Sequence, residues 1–316
     1  MSYAVGQIIL NDEYNVFATG SAGGTPNHGV ANINTIWGTG NGNKGMGQST
    51  TLASVATGAV ITANQWSTMT SRLSSIRSHQ ASSYSASPST PTTSNVITIL
   101  SNLSSAISSG YTDVQNGVVY GRTSLSSNNT QYTSGWVNEI DMSITLTFSG
   151  ADAVRYFFNA GGRIELTFSR TGGTTTQKNT DWSSTCTDCG TILLATNSTN
   201  ASGYTGTFNT LTTATGYYQL TTSDTVIMRK YNATGNADYN NNYIEVDAHT
   251  NGVQGSNADN GTVITLTVKF VDAAADVYSD TVDGTLQTTV VVNGPGTSYI
   301  SNTWGTPTYG GSASGS

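Results

Sequence analysis

The sequence predicts a mainly β protein, with a jelly-roll-like antiparallel β-sandwich at the C-terminal side, preceded by an extended glycine-rich arm and a helical hairpin. Across residues 136–305, short segments of alternating apolar and polar residues are separated by Gly, Asn, Asp and Thr, which is typical of the strands of a sandwich. Residues 61–110 have apolar residues at spacings of three and four, as amphipathic helices do. Residues 1–60 are rich in Gly and contain few apolar runs.

The first 60 residues are predicted to be an extended docking arm. Residues 38–48 (GTGNGNKGMGQ) lack the apolar residues of a core, and a glycine-rich segment loses much entropy when it becomes ordered. The segment is therefore either a flexible tail or an arm that docks on a neighbouring subunit. Docking is favoured because the segment contains apolar residues that could anchor it on a subunit, and a free tail does not need such residues. The anchors are Ile8, Ile9, Tyr14, Phe17, Ile33, Ile36 and Trp37.

Residues 61–110 are predicted to form an antiparallel helical hairpin. Thr62 and Gln65 fit a capping box at the start of the first helix, and the second helix is expected to begin at residue 94 or 95 and to end at 108. Neither helix would be stable alone, so their apolar stripes pack either within the chain or between subunits. The packing and assembly residues that we predict in the arm and the hairpin are Trp37, Trp66, Met69, Leu73, Ile76, Ile99 and Leu103.

A polar linker is predicted over residues 111–135, and the β-sandwich body over residues 136–305, followed by a flexible tail over residues 306–316. Strands are expected at 140–148, 163–169, 225–228, 243–246, 262–270 and 286–292, with a shorter candidate at 217–220. Helical insertions are expected at 150–160 and 179–195. In the insertion at 150–160, Asp152 lies in the first helical turn, and a pair of glycines follows the last helical turn.

The charge of the chain excludes several classes of partner. Its 316 residues include 11 Lys and Arg against 18 Asp and Glu, a net charge of −7, and only 9% are charged, where an ordinary soluble domain has roughly 25%. Because 11 basic residues are too few to form a phosphate-binding patch, we predict no nucleic-acid partner. No segment approaches the roughly 20 apolar residues that cross a bilayer, and the opening residues do not resemble a secretion signal. We therefore predict no membrane insertion.

Several segments resemble virion structural proteins of tailed phages, especially those of cyanophages. In the N-terminal part these are residues 11–15 (NDEYN), the glycine-rich segments 38–40 and 45–48, and residues 61–66 (ITANQW) leading to His79 and Gln80. Residues 155–164 (RYFFNAGGRI) and 178–182 (KNTDW) are similar to a block in the same proteins, which are usually labelled virion structural or tail fibre proteins. The resemblance implies a structural role in a particle and brings no catalytic motif.

Little of the sequence is suited to catalysis or metal binding. Three His, two Cys and four Glu supply few groups for acid–base chemistry or a metal site, so we predict neither an enzyme nor a cofactor. Cys186 and Cys189 form a Cys-x-x-Cys pair, which could be a disulfide, two free thiols, half of a zinc site or a redox centre. We favour a loop disulfide, formed outside a reducing cytoplasm, or two free thiols.

Acidic residues in the body offer two further alternatives. Residues 238–245 (DYNNNYIE) resemble the start of a calcium loop but lack its glycine and distal glutamate, so an ordinary turn between strands is favoured. Paired carboxylates could hydrolyse polysaccharide, as in glycosidases, although polar residues two apart also occur on any water-facing strand. The candidate carboxylates are Glu139 with Asp141, Glu165, and Glu245 with Asp247.

Tyrosines are abundant in the later part of the body, and aromatic rings stack on the faces of sugars. A glycan-binding surface is therefore the second class of function, against strand packing and subunit contact, which tyrosine also favours. The tyrosines concerned are Tyr204, Tyr217, Tyr218, Tyr231, Tyr239 and Tyr243.

The residues and the resemblance together predict a phage virion structural protein, located in the tail as a fibre, tip or baseplate component. We expect a homo-oligomer, either a trimer or a ring, in contact with other virion proteins, because weak contacts become effectively permanent when a symmetric ring repeats them. The alternatives are a capsid decoration, cement or head-fibre protein, and a receptor module that binds a host surface glycan.

Overall fold

A computed structural model describes residues 11–20, 32–34, 52–79, 103, 105–110, 122–233, 235–253, 260–274, 280–296, 302 and 304–315. The chain divides into two compact units. We call the first the arm unit, which comprises residues 1–123, 155–161 and 295–303. The second, the β body, comprises residues 124–154, 162–294 and 304–316.

The arm unit begins with helix α1 (Asn11–Thr19), where the sequence predicts an extended arm. The Asn15 side chain explains the difference: its Nδ2 donates to the Val55 carbonyl at 2.9 Å, and its Oδ1 accepts from the Val55 N–H at 2.8 Å. The Asn34 side chain makes the same pair of bonds with Leu52. The two side-chain amides give the backbone groups of Val55 and Leu52 the hydrogen-bond donor and acceptor that a neighbouring β-strand would otherwise supply. The prediction is wrong for α1, whose buried apolar residues are Tyr14, Val16, Phe17 and Ala18.

Helix α2 (Ala63–His79) begins where it is predicted to begin. The Thr62 N–H donates to Gln65 Oε1 at 2.7 Å, and the Gln65 N–H donates to Thr62 Oγ1 at 3.3 Å, so the capping box is present. Trp66 is 1% exposed, and its ring meets that of Tyr14 edge to face, with 5.8 Å between the ring centroids.

Other residues of the predicted stripes are also buried. Met69 and Leu73 of α2 and Leu103 are each at most 1% exposed, and residues 105–110 are helical. Because these side chains are buried in a single chain, their packing is intramolecular. The other predicted packing groups lie outside the described part of the chain, as does the connection of the predicted hairpin. These groups are Trp37, the side chain of Ile76, and Ile99.

The β body is a β-sandwich built from two antiparallel sheets. The five-stranded sheet has the order β1 (Thr123–Tyr132), β10 (Thr285–Gly294), β3 (Arg163–Thr171), β4 (Thr191–Leu194) and β5 (Thr199–Ser202). The six-stranded sheet has the order β11 (Thr308–Gly315), β2 (Glu139–Thr147), β9 (Val263–Val271), β8 (Tyr243–Thr250), β7 (Thr225–Tyr231) and β6 (Thr210–Leu211).

The core of the β body lies between the inner faces of the two sheets. Every second residue of β2, β9 and β10 is buried, as the alternation of their sequences predicts. Across the interface, the rings of Phe168 in β3 and Phe270 in β9 lie 6.0 Å apart. Thr288 Oγ1 in β10 donates to Met142 Sδ in β2 at 3.2 Å. These contacts join the two sheets face to face.

Two helices interrupt the strands where helical insertions are expected. The second expected insertion, residues 179–195, is wrong beyond residue 188, because Thr191–Leu194 form β4. Helix α3 (Ala151–Asn159) precedes β3, and helix α4 (Gln177–Asp188) follows it. The α4 residue Trp182 is 1% exposed, and its ring centroid lies 5.0 Å from that of Trp136 and 6.2 Å from that of Phe270. Helix α4 therefore belongs to the core of the β body.

The candidate strand at 217–220 is wrong, since Tyr217–Gln219 is a 3₁₀ turn. The Gly216 N–H donates to Gln219 Oε1 at 2.9 Å, which closes the turn locally. The described part of the chain has a second 3₁₀ turn, Ala237–Tyr239, inside the segment that resembles a calcium loop.

Five strands lie where none is predicted. Strand β4 falls within the second expected helical insertion, and β5 and β6 fall between that insertion and the candidate strand at 217–220. Strand β1 falls within the predicted linker, and β11, at the edge of the six-stranded sheet, falls within the predicted flexible tail. Strand β11 pairs with β2 along its whole length. Backbone pairing does not require apolar side chains, so such a polar edge strand lacks the alternation that identifies a buried strand. The prediction of a flexible tail is therefore wrong for residues 308–315.

Candidate functional site

The most chemically varied surface of the β body is the outer face of the six-stranded sheet. Along a strand, side chains alternate between the two faces, so the residues between the core positions of β2, β9, β8 and β7 lie on this outer face. The charged and aromatic side chains on it are Glu139, Asp141, Arg229, Tyr231, Tyr243, Glu245, Asp247, His249 and Lys269.

The strand register places four of these residues in one row of alternating charge. Asp141 lies opposite Lys269, Lys269 opposite Glu245, and Glu245 opposite Arg229. Arg229 forms an ion pair with Glu245, and Lys269 Nζ lies 3.5 Å from Glu245 Oε1 and 2.5 Å from Asp247 Oδ2. The hydrogen bond to Asp247 is the main reason that the pKa of Lys269 is raised. Opposite charges in cross-strand positions stabilise a sheet.

A second row on the same face is aromatic. Tyr231 lies opposite Tyr243, with ring centroids 5.0 Å apart and the planes tilted by 48°. The Arg229 guanidinium lies 5.1 Å from the centroid of the Tyr243 ring, a cation–π contact. Burial, together with the charge of Glu245, raises the pKa of Tyr243, so this side chain keeps its hydroxyl hydrogen at neutral pH.

A cavity of about 330 Å³ lies on β2 and the edge strand β11, lined by Glu139, Asp141, Ser314 and Gly315. The pKa of Glu139 is raised by burial first and by the neighbouring Asp141 second. A nearby like charge disfavours ionisation, so these surroundings favour the protonated form of Glu139.

The structure places the carboxylates that the sequence suggests for hydrolysis in different surroundings. Glu245 and Asp247 are each 4% exposed and are engaged by the basic side chains described above. Glu165 forms an ion pair with Arg163. Of the suggested carboxylates, Glu139 and Asp141 are the two that line the cavity.

The structure separates the tyrosines into three groups. Tyr217, Tyr218 and Tyr239 are at most 6% exposed and belong to the core. Tyr204 is 47% exposed, and its ring lies 5.1 Å from that of Phe208 in the loop after β5. The third group is the pair on the outer face. This pair lies beside the charged side chains of Arg229 and Glu245.

Cys186 in α4 and Cys189, which caps its C-terminus, are buried free thiols. Burial raises the pKa of Cys186 well above its usual value and that of Cys189 to about 12. The nucleophilic thiolate is therefore scarce at neutral pH. Among the described residues, no three His, Cys, Asp or Glu side chains form a group that could hold a metal ion.

Sequence reasoning missed the two basic residues of the outer face, Arg229 and Lys269. Lys269 lies between two core positions of β9, so the alternation of the sequence contains the signal for its outward placement. Its carboxylate partners lie on β8, however, and the pairing of strands depends on register, which the sequence does not reveal.

Comparison with protein-family models, with curated proteins and with solved structures gave no match. In the described part of the chain, no helix combines the length and the apolar character required to span a bilayer.

Proposed function

We propose that this chain is a structural protein of a tailed-phage virion. In this proposal it is a fibre, tip or baseplate component of the tail, assembles as a symmetric homo-oligomer and contacts other virion proteins. It is made in the host cytoplasm and functions in the particle.

The observation that carries the proposal is the burial of the segments that resemble phage virion proteins. In residues 155–164 and 178–182 the large apolar side chains are at most 1% exposed, and even the polar residues of the second segment are mostly buried. Residues at buried positions determine how a core packs, so a resemblance at these positions is a resemblance in architecture. The large apolar residues concerned are Phe157, Phe158, Ile164 and Trp182.

The polar character of the surface supports an assembly role. Only 9% of the residues are charged, and on the outer face the basic side chains are engaged by carboxylates of the same sheet. Contacts between such subunits would rest on neutral hydrogen bonds and apolar groups, which salt weakens less than it weakens ion pairs. Contacts that salt weakens little would suit a particle that must stay assembled outside the cell.

The proposal is tested by locating the chain in the particle. Antibodies raised against the purified chain and labelled with gold are counted on heads and tails by electron microscopy. We expect label on the tail. Label confined to the head would favour the alternative, a capsid decoration, cement or head-fibre protein, and particles without label would contradict the structural role.

A second candidate function, glycan binding, is favoured by the tyrosine pair of the outer face. Tyr231 and Tyr243 are partly exposed, and beside them Arg229, whose side chain is 35% exposed, offers a charged hydrogen-bonding group. An aromatic platform with adjacent polar groups is a chemistry that binds sugars through stacking and directed hydrogen bonds.

Tyr243→Ala is expected to weaken binding of any glycan identified on an array by about tenfold, since an aromatic contact contributes on the order of 1.5 kcal/mol. The affinity is measured by titration calorimetry. Tyr204→Ala, which removes an exposed tyrosine outside this face, is the matched control and is expected to leave the affinity unchanged. Equal losses for both variants would argue against the outer face.

A further inference from the structure

The β body contains an ion pair that is closed off from water. Lys178 Nζ, in the first turn of α4, lies 2.5 Å from Oδ2 of Asp272, and both side chains are 0% exposed. Asp272 directly follows β9. Attraction between two buried charges often fails to offset the hydration that both have lost. Burial is also the main reason that the pKa of Asp272 is raised, which favours its neutral carboxyl form.

The two oxygens of this carboxyl have different surroundings. Oδ1 accepts a hydrogen bond from the Ala274 N–H at 3.3 Å. Oδ2 lies 2.5 Å from the Lys178 Nζ in the ion pair and has no further hydrogen-bond partner among the described residues. Nζ itself donates to the Asp280 carbonyl at 2.8 Å. One oxygen is therefore held by the backbone, while the other lies against the amine.

We propose that Lys178 and Asp272 condense to form an isopeptide bond within the chain. One proton first passes from the Lys178 ammonium to Oδ2 of the Asp272 carboxylate, which gives a neutral amine and a neutral carboxyl. The amine then attacks Cγ, a bond forms between Nζ and Cγ, and the bond between Cγ and Oδ2 breaks. Oδ2 leaves as water, carrying its own proton and one proton of the amine. The reaction needs no oxidant, reductant or other reactant.

The product fits the hydrogen-bonding groups that surround the pair. The amide retains one N–H, which continues to donate to the Asp280 carbonyl. Oδ1 becomes the amide oxygen and keeps its bond from the Ala274 N–H. Two buried charges are replaced by one neutral group whose donor and acceptor are both satisfied, which removes the cost of burying the charges.

The surroundings also favour condensation over hydrolysis. The Tyr239 ring, 6% exposed, has its centroid 6.0 Å from Nζ, and neither reacting side chain is open to solvent. A site that excludes water holds the two groups in contact and slows attack on the amide. The resulting link would join α4 to the end of β9 and constrain the unfolded chain, as a disulfide across a long loop does.

The bond is tested by intact-mass spectrometry of the full chain under denaturing conditions, in which an ion pair does not survive. We expect a mass below that of the sequence by one water molecule. Proteolysis is expected to yield one branched peptide that joins the segment containing Lys178 to the segment containing Asp272. Lys178→Met cannot form the bond, so its measured mass is expected to equal the mass calculated from its sequence.

Lys269→Met is the matched control. Lys269 also lies 2.5 Å from a carboxylate oxygen, that of Asp247, but its side chain is 31% exposed, so its ion pair remains hydrated. We expect this variant to keep the water deficit and the branched peptide. A wild-type chain with the full sequence mass would overturn the proposal, as would a deficit that persists in Lys178→Met. The outcome does not depend on whether the chain belongs to a virion.

Discussion

Phe270→Ala is expected to lower the free energy of unfolding of the β body by about 3–5 kcal/mol. Phe270 is 0% exposed, and its ring contacts Phe168 of the opposite sheet and Trp182 of α4. The side chain therefore joins three layers, which are the two sheets and the helix. Removing it leaves a cavity that neighbouring side chains can fill only by giving up their own contacts.

The measurement is denaturant unfolding followed by far-ultraviolet circular dichroism of the β signal. Thr265→Ala, on the outer face of the same strand, is the matched control and is expected to change stability by less than about 0.5 kcal/mol. If Phe270→Ala has as small an effect as the control, the contact between the two sheets is not the main source of stability that the packing indicates.

The inner faces of β2, β3, β9 and β10 could be predicted from sequence because one side of each strand lies in the core. The alternation of Ile140 to Leu146 and of Ile264 to Phe270 therefore follows directly from the sandwich. Strands β1 and β11 could not be predicted, since an edge strand is stabilised by backbone pairing and tolerates polar residues on both faces.

Helix α1 was missed for a different reason. Its stability depends on Asn15, whose amide bonds both backbone groups of Val55. Such a contact joins residues distant in sequence, and Asn is otherwise a poor helix former. Pattern analysis treats an asparagine in a polar segment as evidence for a loop, so tertiary contacts override the local preference here.

The candidate site could be predicted only in part. The sequence shows that Glu245 and Asp247 share one face of β8, because residues two apart do so in any strand. It does not show that Arg229 and Lys269 lie beside them, because that requires the register of β7, β8 and β9. The contact of Lys178 with Asp272 had no signal in the sequence, since it joins a helix to a residue beyond a distant strand.

Trp66→Ala is expected to destabilise the arm unit by about 3–5 kcal/mol, because its ring is 1% exposed and packs edge to face on Tyr14. Trp66 lies in α2, whereas Tyr14 lies in α1. Loss of the indole should therefore release α1 as well as loosen α2. Burial is the main reason that the pKa of Tyr14 is raised, so the variant should also move this pKa back towards its ordinary value.

Hydrogen exchange followed by mass spectrometry tests this expectation segment by segment. In Trp66→Ala we expect faster exchange in peptides covering residues 11–20 and 52–79, and unchanged exchange in β2, β9 and β10, because local opening affects only the cooperative unit that loses the contact. Val60→Ala, at a residue 83% exposed in the same unit, should leave both sets of peptides unchanged. Unchanged exchange of α1 in Trp66→Ala would mean that side-chain hydrogen bonds hold this helix on the chain without the indole, as the two bonds between Asn15 and Val55 could do.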